Sequence, residues 1–187
     1  MDVRKTGVVL VEGISDRVAL EALAKRYGRD LEAERTSIVP IGGAQAVGRF
    51  LEELDPRGGN LRLAGLCDAG EERDFRRGLE RAGLGAPTTR AEMERLGFYV
   101  CDADLEDELI RALGADAVEA VVASEGDLRP YRTMQKQPEW RGRPREDQLR
   151  RFMGSGGRRK IRYARLLVNA LELPQVPRPL ERVLAHV

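Results

Sequence analysis

A chain of 187 residues with 42% hydrophobic but only 5% aromatic residues suits one α/β domain whose core is mostly Leu, Val, Ile and Ala. No apolar run approaches the ~20 residues needed to cross a bilayer, no leader peptide is expected, and a lone histidine, His186, excludes a multi-His zinc site and speaks against a His-based triad. The net charge of +1 hides two unlike parts: residues 1–128 hold 17 Lys/Arg and 26 Asp/Glu, a balance of −9, whereas residues 129–187 hold 15 and 5, a balance of +10.

The apolar run closing on Val8-Val9-Leu10-Val11 predicts a fully buried strand over 7–11, followed by a helix over 15–27 with Gly28 as its natural stop. A second strand is expected at 36–41, then Gly42-Gly43 and a helix at 44–54. Asp55 to Asn60 reads as a turn cluster. A strand at 61–67, a helix at 71–82, a loop at 83–89 and a short helix or turn at 90–96 follow. Phe98-Tyr99-Val100-Cys101 is the fourth strand and 104–113 a helix. This alternation predicts a mostly parallel sheet with helices on both faces. Residues 129–144 are rich in Arg, Pro and Gln and show no periodicity. A short helix at 146–152, a flexible break at 153–157, a helix at 158–171 and a last one at 179–185 complete the chain, with His186 expected to fray. The division expected is a metal-binding α/β core over 1–128 and a basic helical region over 129–187, packed on the core or completing it.

Two acids follow apolar strands in matched positions. Glu12 closes the first and Asp68 the third, so both fall at the carboxyl edge of a parallel sheet, where open α/β sheets bind ligands. Oxygen-only ligands at neighbouring strand ends suit Mg²⁺ or Mn²⁺. Asp16, four residues beyond Glu12, can point into the same crevice or simply open a helix. The acids from Asp102 to Glu108 read mainly as helix-start capping and solvated surface. Gly42 and Gly43 either make a tight strand-to-helix turn or let a nucleic-acid backbone approach. Arg141, Arg143, Arg158, Arg159 and Lys160 lie in the basic part and are candidates to follow a polyanion. Tyr131 and Trp140 among them either stack on bases or pack under a small subdomain. Cys67 and Cys101 each precede an aspartate and read as reduced, buried strand-end thiols of a cytoplasmic protein.

These motifs resemble the Toprim fold of topoisomerases, bacterial-type primases and several nucleases. Val11-Glu12-Gly13 matches its first element, Gly42-Gly43 loosely its second, and Asp68-Ala69-Gly70 half of its Asp-x-Asp, with Gly70 replacing the second aspartate. Asp16 after Glu12, the run Phe98 to Glu106, and Gly156-Gly157-Arg158-Arg159-Lys160 resemble the OLD (overcoming lysogenization defect) nuclease branch. The resemblance implies a Toprim-like, Rossmann-type α/β fold with a basic, mainly helical C-terminal extension. It implies metal ligation by Glu12, Asp16, Asp68 and Glu106, Glu12 and Lys160 in catalysis, and Mg²⁺- or Mn²⁺-dependent DNA cleavage. OLD proteins carry an ATPase domain ahead of the Toprim part. No phosphate-binding Gly-Lys loop is read in this chain, so the expectation is a stand-alone domain, or one whose ATPase is a separate partner chain, and a homodimer is compatible with it. Two rivals remain open: a non-catalytic Toprim-like module that binds nucleic acid or a partner ATPase, and an unrelated nucleotide-binding α/β domain.

Overall fold

The structure, a computed structural model, describes residues 6–54 and 61–187, so the turn cluster expected at 55–60 lies outside the described residues. Strands β1 (Gly7–Val11), β2 (Thr36–Pro40), β3 (Arg62–Cys67) and β4 (Phe98–Val100) form one sheet in the order β2-β1-β3-β4, every pairing parallel. All five residues of β1 are buried because both faces of this central strand are covered. Val9 and Val11 enter one core and Val8 and Leu10 the other, the two-residue alternation of a strand.

The second core is closed by α2 (Val47–Leu54), α3 (Glu72–Arg81) and α4 (Arg90–Arg95), through Val47, Leu51, Phe75, Leu79 and Met93. The first is closed by α1 (Ile14–Arg26), α5 (Leu105–Leu113), α6 (Ala115–Ser124), α7 (Leu128–Gln135), α8 (Arg145–Gly154), α9 (Gly157–Ala170) and α10 (Arg178–Ala185). Helix α9 packs along α1 through Tyr163, Ala164, Leu167 and Val168, and the Arg26 guanidinium donates to the Val168 carbonyl at 2.5 Å. The sheet with helices on both faces is therefore as expected. Among the described residues no helix is long and apolar enough to cross a membrane.

Three local expectations are corrected. Residues 129–144 are not without regular structure, since α7 occupies 128–135. Its one fully buried residue, Tyr131, stands three from Leu128 and three from Met134, both partly buried against the first core, a stripe only two turns long. The break expected at 153–157 shrinks to Ser155-Gly156, because Met153 and Gly154 finish α8 and Gly157 opens α9. His186 is not frayed: it caps α10, its ring lies 6.3 Å from that of Tyr99, and Val187 behind it is buried. Helix α6 has no counterpart among the expected elements.

Cys67 and Cys101 are both free and buried. They sit side by side, the Cys101 N–H donating to the Cys67 carbonyl at 2.9 Å, but their side chains enter opposite cores. A disulfide between them is geometrically excluded, and burial raises both thiols above their ordinary range.

Gly65, within β3, lies against the ring of Phe98. A Cβ there would sit 2.5 Å from Phe98 Cδ1 and 3.3 Å from the Leu10 carbonyl. Gly65→Ala is expected to cost about 1–3 kcal/mol, read as a lowered melting temperature. An unchanged melting temperature would mean that Phe98 moves aside freely.

Candidate metal centre and nucleic-acid interface

The chain runs from β1 to β2 on one side and then crosses to β3 on the other. The gap between the carboxyl ends of β1 and β3 is thus the switch point of the sheet, the place where such folds open a crevice. Register carries both candidate acids there. Val11 pairs with Leu66, so Glu12 and Asp68 leave adjacent strands together, and Glu12 Oε1 accepts the Asp68 N–H at 2.7 Å. Gly13 is the N-cap of α1, and its N–H donates to Asp16 Oδ2 at 2.9 Å, which turns Asp16 back towards the strand end. Gly42 and Gly43, both at positive φ, donate their N–H groups to the Glu12 carbonyl at 3.1 and 3.3 Å. Their turn therefore latches β2 to the Glu12 backbone, and a Cβ on either would meet nothing within 4 Å, so the surface above them is open.

The acid run at the start of α5 divides by direction. Asp102, Asp107 and Glu108 pair with Arg111, and Asp102 also with Arg90. Asp104 caps α5 by accepting the Asp107 N–H at 2.8 Å and also pairs with Arg150 of α8 at 2.6 Å. Glu106 and Glu108 are both 5% exposed, but Glu108 also accepts the Asp102 N–H, whereas Glu106 pairs through Oε2 with Lys160 Nζ at 3.2 Å and its Oε1 is buried with no hydrogen-bond partner. Lys160 arrives from the first turns of α9.

These groups share one electrostatic environment. Burial pushes Glu12 up to about 7, opposed by the Asp68 N–H and reinforced by the charges of Glu71 and Asp16. Burial pushes Asp68 up to about 8, reinforced by Glu12, Asp16 and Asp104. Burial likewise raises Asp16 and Glu106, and Lys160 opposes the shift in both. Lys160 stays protonated because Glu106, Asp16 and Asp68 outweigh its own desolvation. Among the described residues, no three Asp, Glu, Cys or His side chains stand as placed in a group that could hold an ion. The donor chemistry nevertheless fits a hard divalent cation: oxygen donors only, one of them a buried carboxylate oxygen without a partner, and a surplus of negative charge met by a single lysine.

In the metal-free protein, Glu12 and Asp68 keep protons up to about pH 7 and 8, whereas the unfolded chain has lost them above its ordinary values of 4.5 and 3.8. The folded state binds more protons between those limits, so this contribution to stability is present at low pH and is lost as pH rises through 7–8. The melting temperature in chelator is expected to fall between pH 6 and 9, and to fall less in Glu12→Gln. Equal slopes in the two proteins would contradict the assignment.

The basic candidates are less free than the sequence suggests. Of the 15 cations in 129–187, seven form ion pairs within 4.0 Å among the described residues: Arg132, Arg145, Arg150, Arg159, Lys160, Arg162 and Arg178. Every acid they meet comes from residues 94–127, so much of the charge asymmetry is spent joining the C-terminal helices to the rest. Arg141 donates to the Lys136 carbonyl and Arg143 to that of Glu139, while Arg143 also lies over the Trp140 ring at 5.1 Å. Tyr131 is fully buried, which removes it as a base-stacking surface. Sequence reasoning placed no weight on Arg150, and read Asp104 with its neighbours as mainly capping and solvated surface. Their link from α8 to the acidic cluster has no signature within either local stretch.

Residues 6–68 match the family model described as Overcoming lysogenization defect protein-like, TOPRIM domain. The structure is similar to the C-terminal region of the OLD protein of Xanthomonas campestris pv. campestris, with 23% identity and a TM-score of 0.74 over 98% of this chain and 92% of that one. It is also similar to the C-terminal region of the Burkholderia pseudomallei OLD protein, with 22% identity and a TM-score of 0.67 over 97% and 96%. No curated protein matches the chain. The matched segment begins just before β1 and ends on Asp68, so the stretch similar to that Toprim model contains both strand-end acids.

Proposed function

We propose that this protein is a nuclease that hydrolyses phosphodiester bonds of DNA with Mg²⁺ or Mn²⁺. The observation that supports the reading is the electrostatic coupling of Glu12, Asp68 and Asp16 at the β1/β3 switch point to Lys160, which also pairs with Glu106. An OLD-like Toprim domain points to nuclease chemistry, and the raised carboxylates are the expected cost of gathering acids for a cation. Glu12 and Asp68 would hold one ion and Asp16 and Glu106 a second, after Lys160 releases Glu106. Cations held by these residues would supply Lewis-acid activation of water and relief of charge on the phosphodiester. Lys160, kept protonated by its neighbours, donates hydrogen bonds to the phosphoryl oxygens as their charge grows. The unpaired cations of the basic part and the open Gly42-Gly43 turn hold and admit the strand. Residues 1–128 and 129–187 act in this reading as one catalytic body. A separate ATPase chain or a second copy of the protein is the partner to seek.

Nicking of supercoiled plasmid tests this. Relaxation is expected with Mg²⁺ or Mn²⁺ and none with Ca²⁺, which prefers looser, higher coordination. Gly70, in place of a second aspartate, favours one alternative, a module that binds nucleic acid or an ATPase without cutting. Strand binding with no nicking under any of these ions would select it.

A further inference from the structure

The first turns of α9 present two different surfaces. Lys160 faces the carboxylates, while Arg158, Arg159 and Arg162 line a separate cleft of about 510 Å³, whose other walls are Ser155, the glycines 156 and 157, and Asp127. Its lining side chains are all charged or polar. Three guanidinium groups meet one lining carboxylate. Asp127 accepts from Arg162 and, at 3.0 Å, from the Tyr163 hydroxyl, and lies 3.9 Å from Arg159 Nε. Glu125, outside the lining, comes no nearer than 3.9 Å to Arg162. Arg158 has no acid within 4.0 Å among the described residues and is exposed. The cleft therefore retains net positive charge, and a concave wall concentrates that field.

The cations are also held in place. Arg159 lies over the Phe152 ring at 4.3 Å and donates to Ser155 Oγ at 2.7 Å. Phe152 in turn packs edge-on between Tyr131 and Tyr163 in the core. Arg162 Nε is buried with no hydrogen-bond partner. The glycine floor is open, since a Cβ on Gly156 or Gly157 would meet nothing within 4 Å. Pre-organised, partly unpaired guanidinium groups around an open backbone floor are the chemistry that recognises phosphate.

We infer that this cleft binds an internal phosphodiester group of the strand, next to the one presented to Lys160. The inference rests on the nuclease reading for the identity of the strand. One helix then divides the work, with Lys160 acting at the reacting phosphate and the arginines of the adjacent face fixing its neighbour. Contacts of this kind set register and carry no base preference. Asp127 acts as a brake, because its charge competes with the phosphate for Arg159 and Arg162.

The test is the anisotropy of a labelled single-stranded oligonucleotide, measured in chelator so that cleavage plays no part. Arg158→Gln is expected to weaken binding roughly 5- to 10-fold for all sequences and to lower the salt slope by about 0.7, the single-strand value for one phosphate. Asp127→Asn, which keeps an acceptor for Tyr163, is expected to tighten binding about 3-fold or more by removing one opposing charge. Oligonucleotides with and without a 5′-phosphate should bind alike, and inorganic phosphate should compete only weakly. Wild-type affinity in both variants, with melting temperatures unchanged and plasmid nicking intact, overturns the cleft and leaves the nuclease reading standing. Dependence on the 5′-phosphate, or strong competition by free phosphate, overturns the internal-phosphodiester assignment. Variant effects as expected, in a protein that never nicks, sink the nuclease reading alone.

Discussion

Glu12→Gln is expected to remove metal-dependent cleavage, by about 10²-fold or more, while leaving strand affinity within about 2-fold. The substitution keeps the shape of the side chain and an oxygen to accept the Asp68 N–H, so the β1–β3 edge should hold. What it removes is the negative charge, which in the metal-free protein is a liability. Glu12 is pushed up to about 7 by burial and by Glu71 and Asp16, and it in turn raises Asp68. The neutral variant is therefore expected to melt at or above the wild-type temperature at pH 8 without metal, yet to gain less from added Mg²⁺. A stability gain joined to lost activity is the mark of a site whose charges serve a ligand rather than the fold. Cleavage that survives in the variant would reject the mechanism.

The second large effect concerns residues 129–187. Their clustered charge suggests an appended polyanion-binding arm, but they supply 13 of the 29 buried members of the first core, among them Phe152, Tyr163, Leu167, Val168 and Leu180. Fully burying one large apolar side chain is worth roughly 1.5–3 kcal/mol. Removing them together exceeds the ~5–15 kcal/mol by which a whole domain is stable. The removal would also strip Arg29 of the carbonyls of Leu184 and Val187, which it caps, and leave α1 without the helix that covers it. A chain ending at residue 128 is expected to show no cooperative melting and no near-UV signal. A cooperative transition in that fragment would mean that the first core closes without its C-terminal helices.

The strands were legible because their signal is local. Val8 to Val11, Ile38 to Pro40 and Leu63 to Cys67 are short apolar runs bounded by turn residues, and the parallel order followed from helices alternating with them. Glu12 and Asp68 could be placed at one edge for the same reason. Helix α7 was not legible, because its apolar stripe of Leu128, Tyr131 and Met134 is only two turns long and is set among Arg, Pro and Gln. The acid run from Asp102 to Glu108 could not be sorted from its sequence either. Glu106 and Glu108 are equally buried, but only Glu106 is met by a cation from far along the chain, Lys160, as Asp104 is by Arg150, whereas Glu108 is held locally by Arg111. The +10 balance of the C-terminal part misled in the same way. Composition counts charges, but pairing with Asp104, Glu106, Asp116, Glu119 and Asp127 decides how many remain for a ligand.

The central claim is that the carboxylates at the β1/β3 switch point form a divalent-cation site beside Lys160. A crystal soaked in millimolar Mn²⁺ tests it without reference to turnover, through the anomalous signal of the ion. The account predicts a peak bridging the carboxylates of Glu12 and Asp68, with oxygen ligands and Lys160 turned from Glu106 if a second ion enters. A crevice without a peak at that concentration, or an ion bound only at surface acids such as Asp102, would contradict it.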